Sequence, residues 1–415
     1  MMISMQKTII LTSSQYQLLR PIILICKYFC ILPFAIKQTG NEWWIYWSWW
    51  SVIAGAIGVA TIGTLALYGV YNNYHIDAVF KIRINSCSTK LVNGVSMSIL
   101  IITFLICSVS SNVNFKYLQE YFLHLTKADN FTKFVPSVQK SRTYTKVLYC
   151  TILIKMIIYS TDLAVWSKIA YPQSSIISYS INELPFYLLF LIMEFATIYY
   201  HFLVKFIGDR LNYLNNHLRG YYSCCNIRVK KSTVDNISKY DSKYSLQKDI
   251  IFVKRSDPLD KTKINFLEGY ECLIEASTAL NNYFGAKLLI LLFGAFFYLL
   301  ITPYDLYTAM LHRQYLFILL QVLWMIGHLW RLLILIEPCN SVAQEVQKMS
   351  LIVCKILSHK TDMEFNEELQ LLLSMLDHCP IKFTSCNIVA MDRQLIISIA
   401  GGVTTYLVIL FQFGG

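Results

Sequence analysis

Charge is the scarcest ingredient of this chain. Only 15% of its 415 residues are Asp, Glu, Lys or Arg, against 55% that are apolar or aromatic. Soluble domains carry about a quarter charged residues, so the composition excludes a water-solvated fold. Period-two alternation is missing as well. The apolar runs are apolar on all faces over about 20 residues, whereas a strand of a membrane barrel alternates over about 10. No internal repeat is visible, which speaks against an inverted-repeat transporter. A helix of about 20 residues spans about 30 Å, the thickness of a bilayer core, so the runs read as transmembrane helices.

Seven such spans can be placed, at 47–70, 91–112, 147–167, 183–208, 285–303, 313–336 and 394–413. The fold class is therefore all-α, a polytopic protein of the cell membrane. The stretch Pro21 to Ile36 is also apolar, but it is short and contains Lys27, so it reads as an interfacial helix. It lacks a small-residue cleavage site before the polar break at Lys37 to Gly40, unlike a signal peptide. Trp43, Trp44, Trp47, Trp49 and Trp50 form an aromatic belt at the entry to the first span.

Positive charge then sets orientation, because cytoplasmic loops retain Lys and Arg. With the N terminus inside, the inner segments carry 27 of these residues and the outer segments 5. The formal charge of +11 follows from topology and attraction to anionic lipids, and it calls for no nucleic acid. Of the 12 cysteines only Cys87 faces outward, so an external intrachain disulfide is excluded. Adjacent Cys224 and Cys225 lack the spacing and histidines of a zinc site. No metal or cofactor is expected.

The inner segments carry amphipathic faces of their own. Phe266, Tyr270, Leu273, Ser277, Leu280 and Phe284 lie on one helical face leading into the fifth span. Val342, Val346, Met349, Val353 and Ile356 do so beyond a break expected at Pro338, and Phe365, Leu369, Leu372, Leu373 and Leu376 mark a third face. Residues 220–262 between them read as a flexible polar linker. The chain thus divides into a cytoplasmic segment with an interfacial helix (1–46), a six-helix membrane domain with the cytoplasmic loop 209–284 (47–336), a cytoplasmic helical anchor (337–393) and a last span (394–415).

Ionisable groups inside spans are costly and therefore informative. Lys155 and Asp162 share a face of the third span, and Glu194, Thr197, His201 and Lys205 form a stripe on the fourth. Lys155 and Glu194 come out at similar depth and read as a structural ion pair. The sixth span carries Gln321, Trp324, His328 and Arg331 at helical spacing. Gln321 and Trp324, with Asp162 and with Tyr298 and Thr302 of the fifth span, offer an amide, an indole, a carboxylate and hydroxyls in the outer half of the membrane. Such a set suits a small polyhydroxylated ligand, the indole lying against the C–H face of a ring. Helix packing by Trp324 and an interhelical hydrogen bond from Gln321 are the alternative.

The last span is small-residue-rich at its start and uncharged after Arg393. Thr405 and Gln412 share a face with Ile409, and Tyr406 and Phe413 share the next; repeated around an axis, such a helix can line a narrow neutral pore. Thr405-Tyr406, five apolar residues and Gln412-Phe413 resemble the C-terminal signature of insect gustatory receptors. Phe383-Thr384-Ser385-Cys386 and Asp392-Arg393-Gln394-Leu395 are similar to that family's run into the last helix, and the counted orientation matches its inverted topology. The resemblance implies a homotetrameric, ligand-gated, non-selective cation channel passing monovalent cations, with divalent ones left open. It also implies a pore lined by the last helix, with Gln412 and Phe413 at the extracellular gate. Tyr406 to Leu410 looks most like the fructose-responsive members, and Asp162, Gln321 and Trp324 are similar to positions that contact sugar there. A bitter-responsive or odorant-type channel stays open as the alternative ligand class.

Two other classes fare worse. A G-protein-coupled receptor requires the opposite Lys and Arg distribution and a cytoplasmic tail. An intramembrane enzyme requires paired catalytic groups, and Asp162, Glu194, His201 and His328 lack that spacing. The topology is directly testable: an epitope placed after Gly415 should be stained on intact cells, and Asn130 and Asn236, both in glycosylation triplets, should stay unmodified. Staining only after permeabilisation, or glycan at either asparagine, contradicts the orientation.

Overall fold

The computed structural model describes residues 8–12, 16, 20, 23, 34–39, 42–75, 87–135, 138–170, 176–240, 264–311, 313, 315–358 and 363–413. Strands β1 (Thr8–Thr12), β2 (Phe34–Thr39) and β3 (Glu42–Trp47) form an antiparallel sheet in the order β1-β3-β2. Helices follow: α1 (Trp49–His75), α2 (Cys87–Val113), α3 (Phe115–Thr132), α4 (Val138–Ala170), α5 (Ile176–Tyr240), α6 (Phe266–Leu311), α7 (Tyr315–Leu357) and α8 (Met363–His378). A small hairpin, β4 (Thr384–Ser385) and β5 (Val389–Ala390), precedes α9 (Arg393–Phe413).

Six of the helices contain apolar stretches long enough to cross a membrane, within Trp49–Gly69, Gly94–Val113, Lys146–Ser167, Glu183–Ser223, Phe266–Tyr307 and Tyr315–Leu357. Helix α9 is apolar over Arg393–Ile409 and runs to Phe413, 21 residues and about 31 Å in all. Its apolar stretch is shorter than those six, and it coincides with the seventh expected span, 394–413.

Three helices greatly outrun the bilayer. At 65, 46 and 43 residues, α5, α6 and α7 extend for about 97, 69 and 64 Å. The amphipathic faces read from the sequence pack together along them. All six residues of the α6 face are buried, and Val342, Val346, Met349, Val353 and Ile356 of α7 join them in one core with Leu369, Leu372 and Leu376 of α8. Outside the membrane, burial of each such side chain contributes about 1.5–3 kcal/mol. Between lipid-facing helices that driving force is absent and packing must hold the contact.

The sequence reading needs four amendments. Phe34 to Ile36, expected to end an interfacial helix, pair in β2 with β3, Phe34 opposite Trp47 and Thr39 opposite Glu42. The β-branched and aromatic residues of these two segments suit strands. Residues 21, 22 and 24–33 of the expected interfacial helix lie outside the described residues. The expected linker is helical as far as Tyr240, because extending an existing helix costs far less than nucleating one; residues 241–263 lie outside the described set. Helix α3 was not foreseen: its face Phe115, Leu118, Tyr121, Phe122, Leu125 and Ala128 is buried against the core.

The fourth amendment concerns Pro338, which is buried inside a continuous α7 instead of breaking it. Proline has no N–H and so frees the carbonyl four residues earlier, that of Ile334. His201 of α5 fills the gap, with Nδ1 3.1 Å from the Ile334 oxygen. The ring nitrogen must donate there, since a carbonyl only accepts. Other ties fix the same helices: Arg210 of α5 grips Asp129 of α3 through Nε and Nη2 at 2.6 and 2.7 Å, and Asn215 donates to the Glu345 backbone and carboxylate on α7.

His201→Leu should destabilise the protein by about 1–3 kcal/mol, because the Ile334 carbonyl then lacks its donor. In a Pro338→Ala background the restored N–H should reduce that cost sharply. Thermal unfolding in detergent of both single variants and the double variant reads this out. Equal costs of His201→Leu in both backgrounds would refute the account.

Candidate ligand site and gate

Three helices bring polar and aromatic residues to one place inside the bundle. Helix α4 supplies Lys155, Tyr159 and Asp162; α5 supplies Tyr187, Phe190 and Glu194; α7 supplies Gln321, Trp324, His328 and Arg331. Steps of three and four put each set on one helical face. Helix α6 adds Tyr298 and Thr302 one turn apart.

A row of rings crosses the bundle. Tyr159 stacks on Trp324 with centroids 5.5 Å apart, Trp324 on His328 at 5.7 Å, and His328 on Tyr298 at 5.1 Å. Phe190 tilts against Trp324, Tyr298 and His328 at 4.9, 5.1 and 6.1 Å. These separations are those of offset aromatic pairs.

Beneath the rings sits a charge cluster. Glu194, 2% exposed, uses one oxygen, Oε1, to accept from Lys155 Nζ at 2.8 Å and from Arg331 Nη2 and Nε at 2.7 and 3.2 Å. Gly327 makes room for the ammonium: a Cβ there would lie 3.1 Å from Lys155 Nζ. Tyr159 Oη, Glu194 Oε2, His328 Nδ1 and Arg331 Nη1 are buried without a hydrogen-bond partner among the described residues. Each such atom costs about 1–3 kcal/mol unless something meets it.

Of the five ligand residues expected from sequence, Trp324 and Tyr298 lie in the ring row and Asp162 adjoins it through Tyr187. Asp162 is buried and accepts from Tyr187 Oη at 2.8 Å, and Tyr187 lies against Tyr159 at 5.6 Å. Trp324 sits half-buried in the ring row. Gln321, one turn along α7, is buried and makes no hydrogen bond to the described residues. The Tyr298 hydroxyl donates to the Ser96 carbonyl at 2.9 Å, and Thr302 Oγ1 donates to the Tyr298 carbonyl at 2.7 Å, so both hydroxyls have backbone partners. The reading from sequence paired Lys155 with Glu194 but missed Arg331 as its second cation. It also missed Tyr159, Tyr187 and Phe190, although their spacing to Asp162 and Glu194 was the available signal.

The last helix is anchored at its foot. Cys386 and Asn387 adopt left-handed φ values of 51° and 57°, the turn that lets β4 and β5 pair directly. Ser385 Oγ donates to the Gly285 carbonyl of α6 at 2.9 Å. Asn281 donates to the Lys382 carbonyl at 2.8 Å and accepts from the Thr384 amide at 3.1 Å. A side chain at Gly285 would approach the Cys386 amide nitrogen at 3.2 Å, so glycine permits the close contact. Asp392 caps α9 by accepting from the Leu395 amide at 3.1 Å. Arg393 pairs with Glu337 of α7 at 2.8 Å.

Above that foot, Leu395, Ile396, Ile399 and Val403 lie against the core, with Gly402 close to the Phe296 ring. Thr405, Ile409 and Gln412 are exposed on the single chain. Phe413 ends the helix, and its side chain lies outside the described residues. Groups of three or more potential metal ligands are absent among the described residues.

Six helices long and apolar enough to cross a membrane, a shorter apolar last helix and a buried ring-and-charge cluster define a polytopic membrane protein. The 7tm Chemosensory receptor family profile matches residues 19–414, and the chain belongs to that family. It is a multi-pass membrane chemoreceptor and not an enzyme, as the C-terminal signature led one to expect. The Gustatory receptor for sugar taste 43a of Drosophila melanogaster is 27% identical over 361 residues, 80% of this chain and 83% of its own. The Putative gustatory receptor 28b of the same organism is 28% identical over 155 residues, 35% of this chain and 33% of its own. The insect olfactory receptor OR5 from Machilis hrabei superposes with a TM-score of 0.58 at 14% identity, over 95% of this chain and 97% of that one. Its complex with eugenol does so with a TM-score of 0.56. At that identity the likeness is one of fold.

Proposed function

We propose that this chain is a gustatory receptor that works as a ligand-gated, non-selective cation channel opened by a sugar such as fructose. The observation that carries the reading is the relative named for sugar taste, alike over four-fifths of the chain. The buried cluster around Trp324 adds chemical support. Its indole offers a plate for the apolar face of a sugar ring, while Gln321 and Asp162 offer hydrogen bonds to hydroxyls. Four copies of the chain surround one pore lined by α9. A second reading, an apolar aromatic ligand of the bitter or odorant kind, draws on the ring row and on the backbone partners already held by Tyr298 and Thr302.

Gating follows from helix geometry. Four Phe413 side chains at the outer end of a narrow pore form an apolar constriction that disfavours water and ions. Gln412 lies 100° away around the helix, so a modest rotation exchanges a ring for an amide able to hydrate a passing cation. The helix has no carboxylate after Arg393, so selectivity among monovalent cations is weak.

Currents from heterologous cells under a panel of sugars and bitter compounds test the ligand class. Trp324→Ala should weaken the sugar response by roughly 1–3 kcal/mol, about 5- to 150-fold in half-activating concentration, with surface expression intact. Gln321→Leu and Asp162→Ala should weaken it in the same direction. Unchanged dose–response curves in all three place the pocket elsewhere. For the gate, Phe413→Ala should raise current without ligand, and Gln412→Leu should lower conductance with sensitivity preserved. Normal leak in the first together with normal conductance in the second removes α9 from the gate.

A further inference from the structure

We propose that Glu194 and Arg331 form the inner end of the ligand site and read neighbouring hydroxyls of a neutral polyol. The inference rests on the sugar-channel reading and deepens it. Four polar atoms without hydrogen-bond partners among the described residues gather there: Tyr159 Oη, Glu194 Oε2, His328 Nδ1 and Arg331 Nη1, all on residues more than nine-tenths buried. Glu194 is hydrogen-bonded to Arg331, Phe190 lies 5.6 Å from the Arg331 guanidinium carbon and 6.1 Å from His328, and Tyr159 joins through Trp324.

The donor and acceptor types select the ligand. Arg331 Nη1 can only donate, and the Glu194 carboxylate can only accept. A hydroxyl serves both at once, accepting from Nη1 and donating to Oε2. Tyr159 can donate or accept, and so can His328 according to its tautomer, so the pair serves the next hydroxyl along. An apolar ligand leaves all four atoms unmet. Formal charge narrows the class further: Lys155 and Arg331 balance Glu194 and Asp162, so a sugar acid or amino sugar would bring an unmatched charge into the membrane. The occupant is an uncharged monosaccharide or polyol with adjacent hydroxyls.

A site built to bind a hydroxyl rejects the analogue lacking it far more strongly than an apolar pocket rejects a missing methylene. The test compares D-fructose with its mono-deoxy analogues on the full-length channel in whole-cell recordings. Two variants are informative: Tyr159→Phe, which removes one unpartnered oxygen and little else, and Glu194→Gln with Lys155→Met, which keeps the formal charge unchanged. In the wild type at least one deoxy analogue should need about tenfold or more the concentration of fructose. In each variant the half-activating concentration of fructose should rise by about tenfold, and the gap to that analogue should shrink.

Unchanged fructose curves in both variants at normal surface level overturn the proposal, as does a wild type that responds equally to every deoxy analogue. If the double variant does not reach the surface, Tyr159→Phe alone decides. If fructose opens the channel and Trp324→Ala blunts it while the inner variants respond normally, the inner subsite alone is refuted. A wild type that ignores all sugars yet opens with an apolar aromatic compound refutes the sugar reading and the subsite together.

Discussion

Glu194 accepts hydrogen bonds from two cations on one oxygen, Lys155 of α4 and Arg331 of α7, inside the membrane part of α5. Removing one partner from such a buried arrangement costs about 3–5 kcal/mol, because the charge left behind has no water to turn to. The three helices therefore cannot slide past one another without breaking the cluster. The rings above it inherit their positions from that constraint: Tyr159 lies one turn from Lys155, Phe190 one turn from Glu194, and His328 one turn from Arg331. Helix registry and the placement of the ring row are thus set by the same few atoms.

Elsewhere the fold divides its labour by solvent. Where the amphipathic faces of α3, α5, α6, α7 and α8 bury one another away from water, the hydrophobic effect favours their association. In the bilayer that effect is spent once the helices are inserted, and close packing and polar ties take over. The long, uninterrupted α5, α6 and α7 join the two regimes, so stability gained between those faces holds the membrane helices in place.

The sequence was most legible where a pattern was long and regular. Six long apolar spans, the shorter apolar last helix and three amphipathic faces could be read from period alone, and the family from nine constrained positions around Thr405 and Gln412. Legibility failed where tertiary partners override local preference. Pro338 reads as a break until His201, more than a hundred residues earlier, is seen beside the freed carbonyl. Arg331 reads as one more polar residue on a stripe until Glu194 is placed opposite it. The α3 face was passed over because Lys, His and Asp residues between its apolar positions made the segment look like a loop. At the candidate site, residue types and depth were visible, but the ring row was not, since stacking depends on how three helices rotate against one another.

The hairpin before α9 has a mechanical meaning. One rigid helix, α6, carries Tyr298 of the ring row and also Gly285 and Asn281, which hold the hairpin 13 to 17 residues away, about 20 to 25 Å along its axis. The foot of α9 is pinned there and to α7 through Arg393, while its far end carries Gln412. A rod about 31 Å long, pivoting at its foot, moves its tip by about 1 Å for each 2° of tilt. A lever of this kind turns a slight shift of α6 beside the ring row into a larger displacement at Gln412.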